Sequence, residues 1–76
     1  SNAESLDETL TRAGFTILGG TPLFRLTRHP HAPGLFETLA AAGILTRPFA
    51  DQPDRLRFGL PDSSDALRRV ARAIMR

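Results

Sequence analysis

The chain has 76 residues, a formal net charge of +2 and no cysteine. That length holds one small domain, which buries only about 60% of the surface its unfolded form exposes, so the core must be thin and a self-contained enzyme with a deep pocket is not expected. The missing cysteines exclude disulfide scaffolds, thiolate zinc sites and thiol nucleophiles. No apolar run approaches the roughly 18–20 residues of a bilayer span, and the expectation is a cytoplasmic protein with no membrane partner. All ten basic residues are arginine, so no side chain here can form a Schiff base. A net charge of +2 is too small to argue for nucleic acid.

Ser1-Asn2-Ala3 reads as a remnant of tag removal, leaving 4–76 as a single domain. Ser5 and Glu8 have capping-box spacing. Leu6, Leu10 and Ala13 share one helical face, which predicts a helix over 6–13 ended by Gly14. Phe15-Thr16-Ile17-Leu18 is β-rich, and Gly19-Gly20-Thr21-Pro22 is expected to break it as a turn. Residues 23–28 alternate as a second strand, Phe24 and Leu26 on one face, Arg25 and Thr27 on the other. His29-Pro30-His31-Ala32-Pro33 reads as an exposed loop, with too few neighbouring ligand types for a metal site.

Pro33 suits the first turn of the next helix, where Leu35, Phe36, Leu39 and Ala40 recur at helical spacing and Gly43 marks the stop. Residues 44–49 read as a strand that Pro48 confines to an edge or an end. Asp51 and Asp54 are turn formers rather than a carboxylate pair. Residues 55–60 alternate most cleanly, with Leu56, Phe58 and Leu60 opposite Arg55 and Arg57. Asp62 or Ser63 caps a last helix, whose apolar stripe is Leu67, Val70, Ala71 and Ile74 and whose other face carries Arg68, Arg69, Arg72 and Arg76. The order predicts an α+β fold: a three- to four-stranded mixed, mainly antiparallel sheet with three helices on one face and arginines on the other. Residues 55–60 should insert between 23–28 and 44–49, antiparallel to both, since that segment lacks an internal proline.

Arg47 and Arg57 fall on strands separated only by a turn. Paired as a hairpin, their planar forks would converge on one surface and suit a carboxylate or phosphate. Two solvated surface arginines would show the same pattern, and spacing alone leaves both readings open.

Two stretches carry a resemblance. Gly43-Ile44-Leu45-Thr46-Arg47-Pro48-Phe49 followed by Leu56-Arg57-Phe58-Gly59-Leu60-Pro61 resembles the C-terminal end of fold-type I pyridoxal-phosphate (PLP) enzymes of the histidinol-phosphate aminotransferase branch. Gly19-Gly20-Thr21-Pro22-Leu23-Phe24-Arg25-Leu26 and the helix end at Leu39-Ala40-Ala41-Ala42-Gly43 make it most similar to the threonine-phosphate decarboxylases of cobalamin biosynthesis. The similarity runs over 15–74. It implies that 4–76 is a C-terminal small domain of a larger, homodimeric PLP enzyme, separated from an N-terminal large domain that holds the PLP lysine. It also implies that Arg57 takes the α-carboxylate and Arg47 the phosphate of a phosphorylated amino acid, PLP being the electron sink. The chain itself is then expected to bind no PLP and to hold no catalytic residue. The alternatives are the corresponding domain of an aminotransferase and a stand-alone module binding anions or a protein.

Overall fold

The computed structural model describes residues 2–75, so Ser1 and Arg76 lie outside the described residues. Three helices, α1 (Asn2–Arg12), α2 (Ala32–Ala41) and α3 (Ser64–Ile74), are interleaved with four strands, β1 (Thr16–Thr21), β2 (Phe24–Arg28), β3 (Thr46–Pro48) and β4 (Arg55–Gly59). The sheet order is β1-β2-β4-β3, and every neighbouring pair is antiparallel. The insertion of β4 between β2 and β3 is as the sequence predicts. Pro48 lies on an edge strand, where the missing N–H breaks no ladder.

Two helices end alike. In α1, Phe15 N–H donates to Leu10 O and Gly14 N–H to Thr11 O; in α2, Ile44 N–H donates to Leu39 O and Gly43 N–H to Ala40 O. These are Schellman closures, and they require a left-handed residue just past the helix. Gly14 (φ 93°) and Gly43 (φ 79°) supply it. At the other end of the chain Ser63 caps α3, its hydroxyl accepting from Ala66 N–H at 3.1 Å. Ser63→Ala should lower stability by about 1 kcal/mol, measurable as a drop in urea midpoint; an unchanged midpoint would mean the cap contributes nothing.

The core is Leu6 and Leu10 of α1, Phe15, Ala32 and Leu39 of α2, Leu56 and Phe58 of β4, and Val70 and Ala73 of α3. It lies between the helices and one face of the sheet. Phe15 and Phe58 meet edge to face with ring centroids 5.3 Å apart.

Three expectations are corrected. Helix α1 begins at Asn2, so Ser5 is an exposed residue inside the helix and not its cap. Ala3 and Glu4 extend the helix a turn upstream, and Glu4 complements the positive end of the dipole there. Gly19-Gly20 does not break β1, which runs through it to Thr21 with a register shift between Ile17 and Gly19. Gly20 is needed for a close approach, since a Cβ there would lie 2.4 Å from Phe24 O.

The third correction concerns β2. Its alternation holds, but Phe24 and Leu26 do not join the core; Arg25 and Thr27 face the helices instead. The register with β4 sets Thr27 opposite Leu56 and Arg25 opposite Phe58. Each polar residue finds a partner there. Thr27 is fully buried and its hydroxyl donates to Leu56 O at 2.8 Å. Arg25 Nε donates to Asp7 Oδ1 of α1 at 2.8 Å, and Arg25 Nη1 to Thr21 O at 2.7 Å. Thr27→Val keeps the shape and removes the hydroxyl, so a loss of about 1 kcal/mol is expected; thermal melts that match the parent's would show this bond to be neutral.

Candidate functional site

With the helices on one side, the other face of the sheet is open, and the β3–β4 ladder sets Arg47 directly opposite Arg57. Residues so placed in an antiparallel pair have Cα atoms roughly 4.5–5.5 Å apart. The two guanidinium groups therefore start from neighbouring points and share one surface. Each is steered by an aromatic ring: Arg57 Cζ lies 4.8 Å from the Phe24 centroid and Arg47 Cζ 5.9 Å from that of Phe49. The ring face attracts the cation and favours a flat guanidinium. Among the described residues no carboxylate pairs with either arginine, whereas Arg12, Arg25 and Arg68 each have one, in Glu8, Asp7 and Asp65.

The pair borders a groove of about 460 Å³ whose walls are Leu23, Phe24, Leu45, Thr46 and Gly59. Leu23 and Leu45, both on its walls, are 79% and 82% exposed. Thr46 pairs with the core-facing Phe58, so its buried Oγ1, without a hydrogen-bond partner among the described residues, lies on the helix side of the sheet and only the rest of the residue borders the groove. The groove can take an anionic group against the two forks and an apolar group against the leucines.

Arg47 and Arg57 are the residues that spacing singled out, and the fold brings them together. Phe24 and Leu23 were not singled out as site residues. Phe24 arrives through the β1–β2 hairpin and the β2–β4 register, neither visible from local alternation. Its only local signal is that its strand neighbours Arg25 and Thr27 are the partnered ones.

The other candidates do not assemble a site. His29 is half-buried rather than fully exposed: its ring packs on Phe15 at 4.7 Å, Nδ1 accepts from His31 N–H at 3.0 Å, and Nε2 lies 3.2 Å from Ala13 O. Nδ1 is thus the acceptor, and Nε2–H donates. The ring ties α1 to the loop before α2. Among the described residues no group of three His, Asp or Glu side chains could hold a metal, and no helix is long and apolar enough to cross a membrane. On α3, Arg68 pairs with Asp65 at 3.2 Å, and Arg69 Nη2 donates to Ala42 O at 3.0 Å, closing a carbonyl at the end of α2.

No protein-family model matches the chain. Two curated proteins do. A threonine-phosphate decarboxylase of Sinorhizobium sp is 46% identical over 71 residues, 93% of this chain and 21% of that protein. A threonine-phosphate decarboxylase of Pseudomonas aeruginosa is 40% identical over 73 residues, 96% of this chain and 22% of that protein. The chain is a relative of the threonine-phosphate decarboxylases. It spans about a fifth of the length of the curated relatives it matches. The matched region covers nearly the whole chain, and so includes the residues of the groove as well as those of the core.

Proposed function

We propose that this chain is the substrate-binding small domain of a PLP-dependent threonine-phosphate decarboxylase, with Arg57 receiving the α-carboxylate and Arg47 the phosphate. The observation that supports it most is the cross-strand Arg47–Arg57 pair, with the Arg57 guanidinium over Phe24 and that of Arg47 over Phe49, and with no carboxylate partner among the described residues. Threonine phosphate carries two anionic groups on neighbouring carbons, and two neighbouring forks suit them. The threonine methyl group is small enough for the apolar side of the groove formed by Leu23 and Leu45.

The residues present do not fit PLP itself. The sequence has no lysine, and the donors of the groove are guanidinium groups, which cannot link covalently to an aldehyde. In this reading the cofactor is held by residues of the parent outside this chain, and the chain's task is to place the substrate. Arg57 fixes the carboxylate at two points and so sets its orientation, which a single charge would not. Arg47, exposed at the sheet edge, holds the phosphate and discriminates against threonine that lacks it.

Arg47→Ala in the intact protein tests this division of labour. Hydrogen bonds to a charged group contribute about 1.5–3 kcal/mol, so the preference for threonine phosphate over threonine should fall roughly 10- to 100-fold. A ratio of kcat/KM for the two substrates equal to that of the unaltered enzyme would remove Arg47 from the phosphate site.

A further inference from the structure

Glycine weakens a strand, because it adds backbone freedom to the unfolded chain and packs nothing. It is required where φ is positive or where another atom lies too close for a Cβ. Gly14 and Gly43 meet the first condition and Gly20 the second. Gly59 meets neither: its φ is not positive, and a Cβ there would have nothing beyond its chain neighbours within 4 Å. Yet it ends β4 and lines the groove beside Arg57. Gly19 and Gly34 are equally unconstrained, but neither borders the groove. A strand glycine that the fold does not need is a place where a ligand can approach the backbone closely.

The register places this gap. Gly59 stands opposite Phe24 in the β2–β4 ladder and shares the open face with Arg57, two residues before it. Leu45 precedes Thr46, so the β3–β4 register carried one residue further sets it on the other side of Gly59. The missing side chain therefore leaves a space between Phe24 and Leu45, into which the groove runs from the Arg47–Arg57 pair. We propose that Gly59 is a specificity-determining residue whose open position seats the substituent on the substrate's β-carbon, the methyl group of threonine phosphate. The assignment rests on Arg57 holding the carboxylate and Arg47 the phosphate. With the two anionic groups held across the pair, the β-carbon lies between the forks, and the groove gives its methyl group room over Gly59. A side chain at this position would fill that space without disturbing the fold.

Gly59→Ala and Gly59→Val in the intact protein test the seat, with Gly34→Ala, on the helix side of the sheet, as control. The readout is the ratio of kcat/KM for threonine phosphate to that for serine phosphate, which carries the same two anionic groups and no methyl. Gly59→Ala should lower this ratio by roughly 10-fold or more, the scale of one misfitted methylene, and Gly59→Val should lower it further. Gly34→Ala should leave it unchanged. Circular dichroism melts of the 76-residue chain carrying Gly59→Ala should lie no lower than those of the unaltered chain, since alanine suits a strand better than glycine does. A markedly lower melt would return the glycine to the fold and overturn the assignment. An unchanged ratio in both Gly59 variants, with Arg57→Lys impaired on both substrates, would overturn the seat and leave the arginine roles standing. Near-native turnover of Arg57→Lys on both substrates would instead remove the arginine reading, and the seat with it. If Gly59→Val does not fold, Gly59→Ala decides alone.

Discussion

On the proposed function, replacing Arg57 by lysine in the intact protein is expected to lower kcat/KM on threonine phosphate by about 10²-fold or more, the scale of a misplaced reactant. The reasoning starts from the side chain's surroundings. Arg57 is half-buried on β4, its guanidinium 4.8 Å from the Phe24 ring centroid, with Arg47 opposite. A ring beneath the cation restricts where the guanidinium sits, and its planar fork offers its donors in a fixed geometry. Lysine keeps the charge but presents a rotating ammonium with no edge, so the carboxylate can still be attracted without being oriented. The loss should appear largely in kcat, since binding by charge survives while orientation does not. Cofactor content should be unchanged if PLP is held elsewhere, which absorbance of the purified protein can check. Near-native turnover of Arg57→Lys would show that the carboxylate is oriented by another group.

What the sequence revealed and what it hid divide along one physical line. Signals carried by a single segment were readable. The alternation of 55–60, the stop glycines Gly14 and Gly43 and the Ser63 cap each depend on residues within a few positions, and each appears as expected. The pairing of Arg47 with Arg57 was also within reach, because only a turn separates their strands. The orientation of β2 was not. Alternation says which residues share a face but not which face meets the helices, and here Asp7, 18 residues away, and the carbonyl of Leu56, 29 residues away, satisfy Arg25 and Thr27 on the core side. Those long-range partners release Phe24 to stack on Arg57. The glycine pair at 19–20 misleads for a related reason: it is small because Phe24 O and the Arg25 side chain lie against it, and not because the strand must stop. At the start of α1, Asn2 and Ala3 join the helix, so the capping-box spacing of Ser5 and Glu8 lies inside it and marks no boundary.

The open face depends on β4 being held from behind, and Phe58 is the largest buried side chain that holds it. It is 2% exposed, stands opposite Arg25 of β2 and Thr46 of β3, and packs edge to face on Phe15. Phe58→Ala removes a buried aromatic side chain from the central strand of the sheet and leaves a cavity that neighbours on two other strands cannot fill. Such truncations lower stability by about 3–5 kcal/mol. At roughly 0.05–0.15 kcal/mol per residue, a domain of this size has on the order of 4–11 kcal/mol in all. The variant is therefore expected to lose a large share of its stability, with a fall in Tm of at least about 12 °C, given about 4–8 °C per kcal/mol in small domains. Leu23→Ala, on a leucine that is 79% exposed, is the matched control and should shift the melt by no more than a few tenths of a kcal/mol. Circular dichroism melts of the two variants beside the unaltered chain give the comparison. A Phe58→Ala shift as small as that of Leu23→Ala would mean that the sheet is anchored by the Leu56 contact and the helices alone. The Arg47–Arg57 geometry would then have to be maintained without Phe58 behind it.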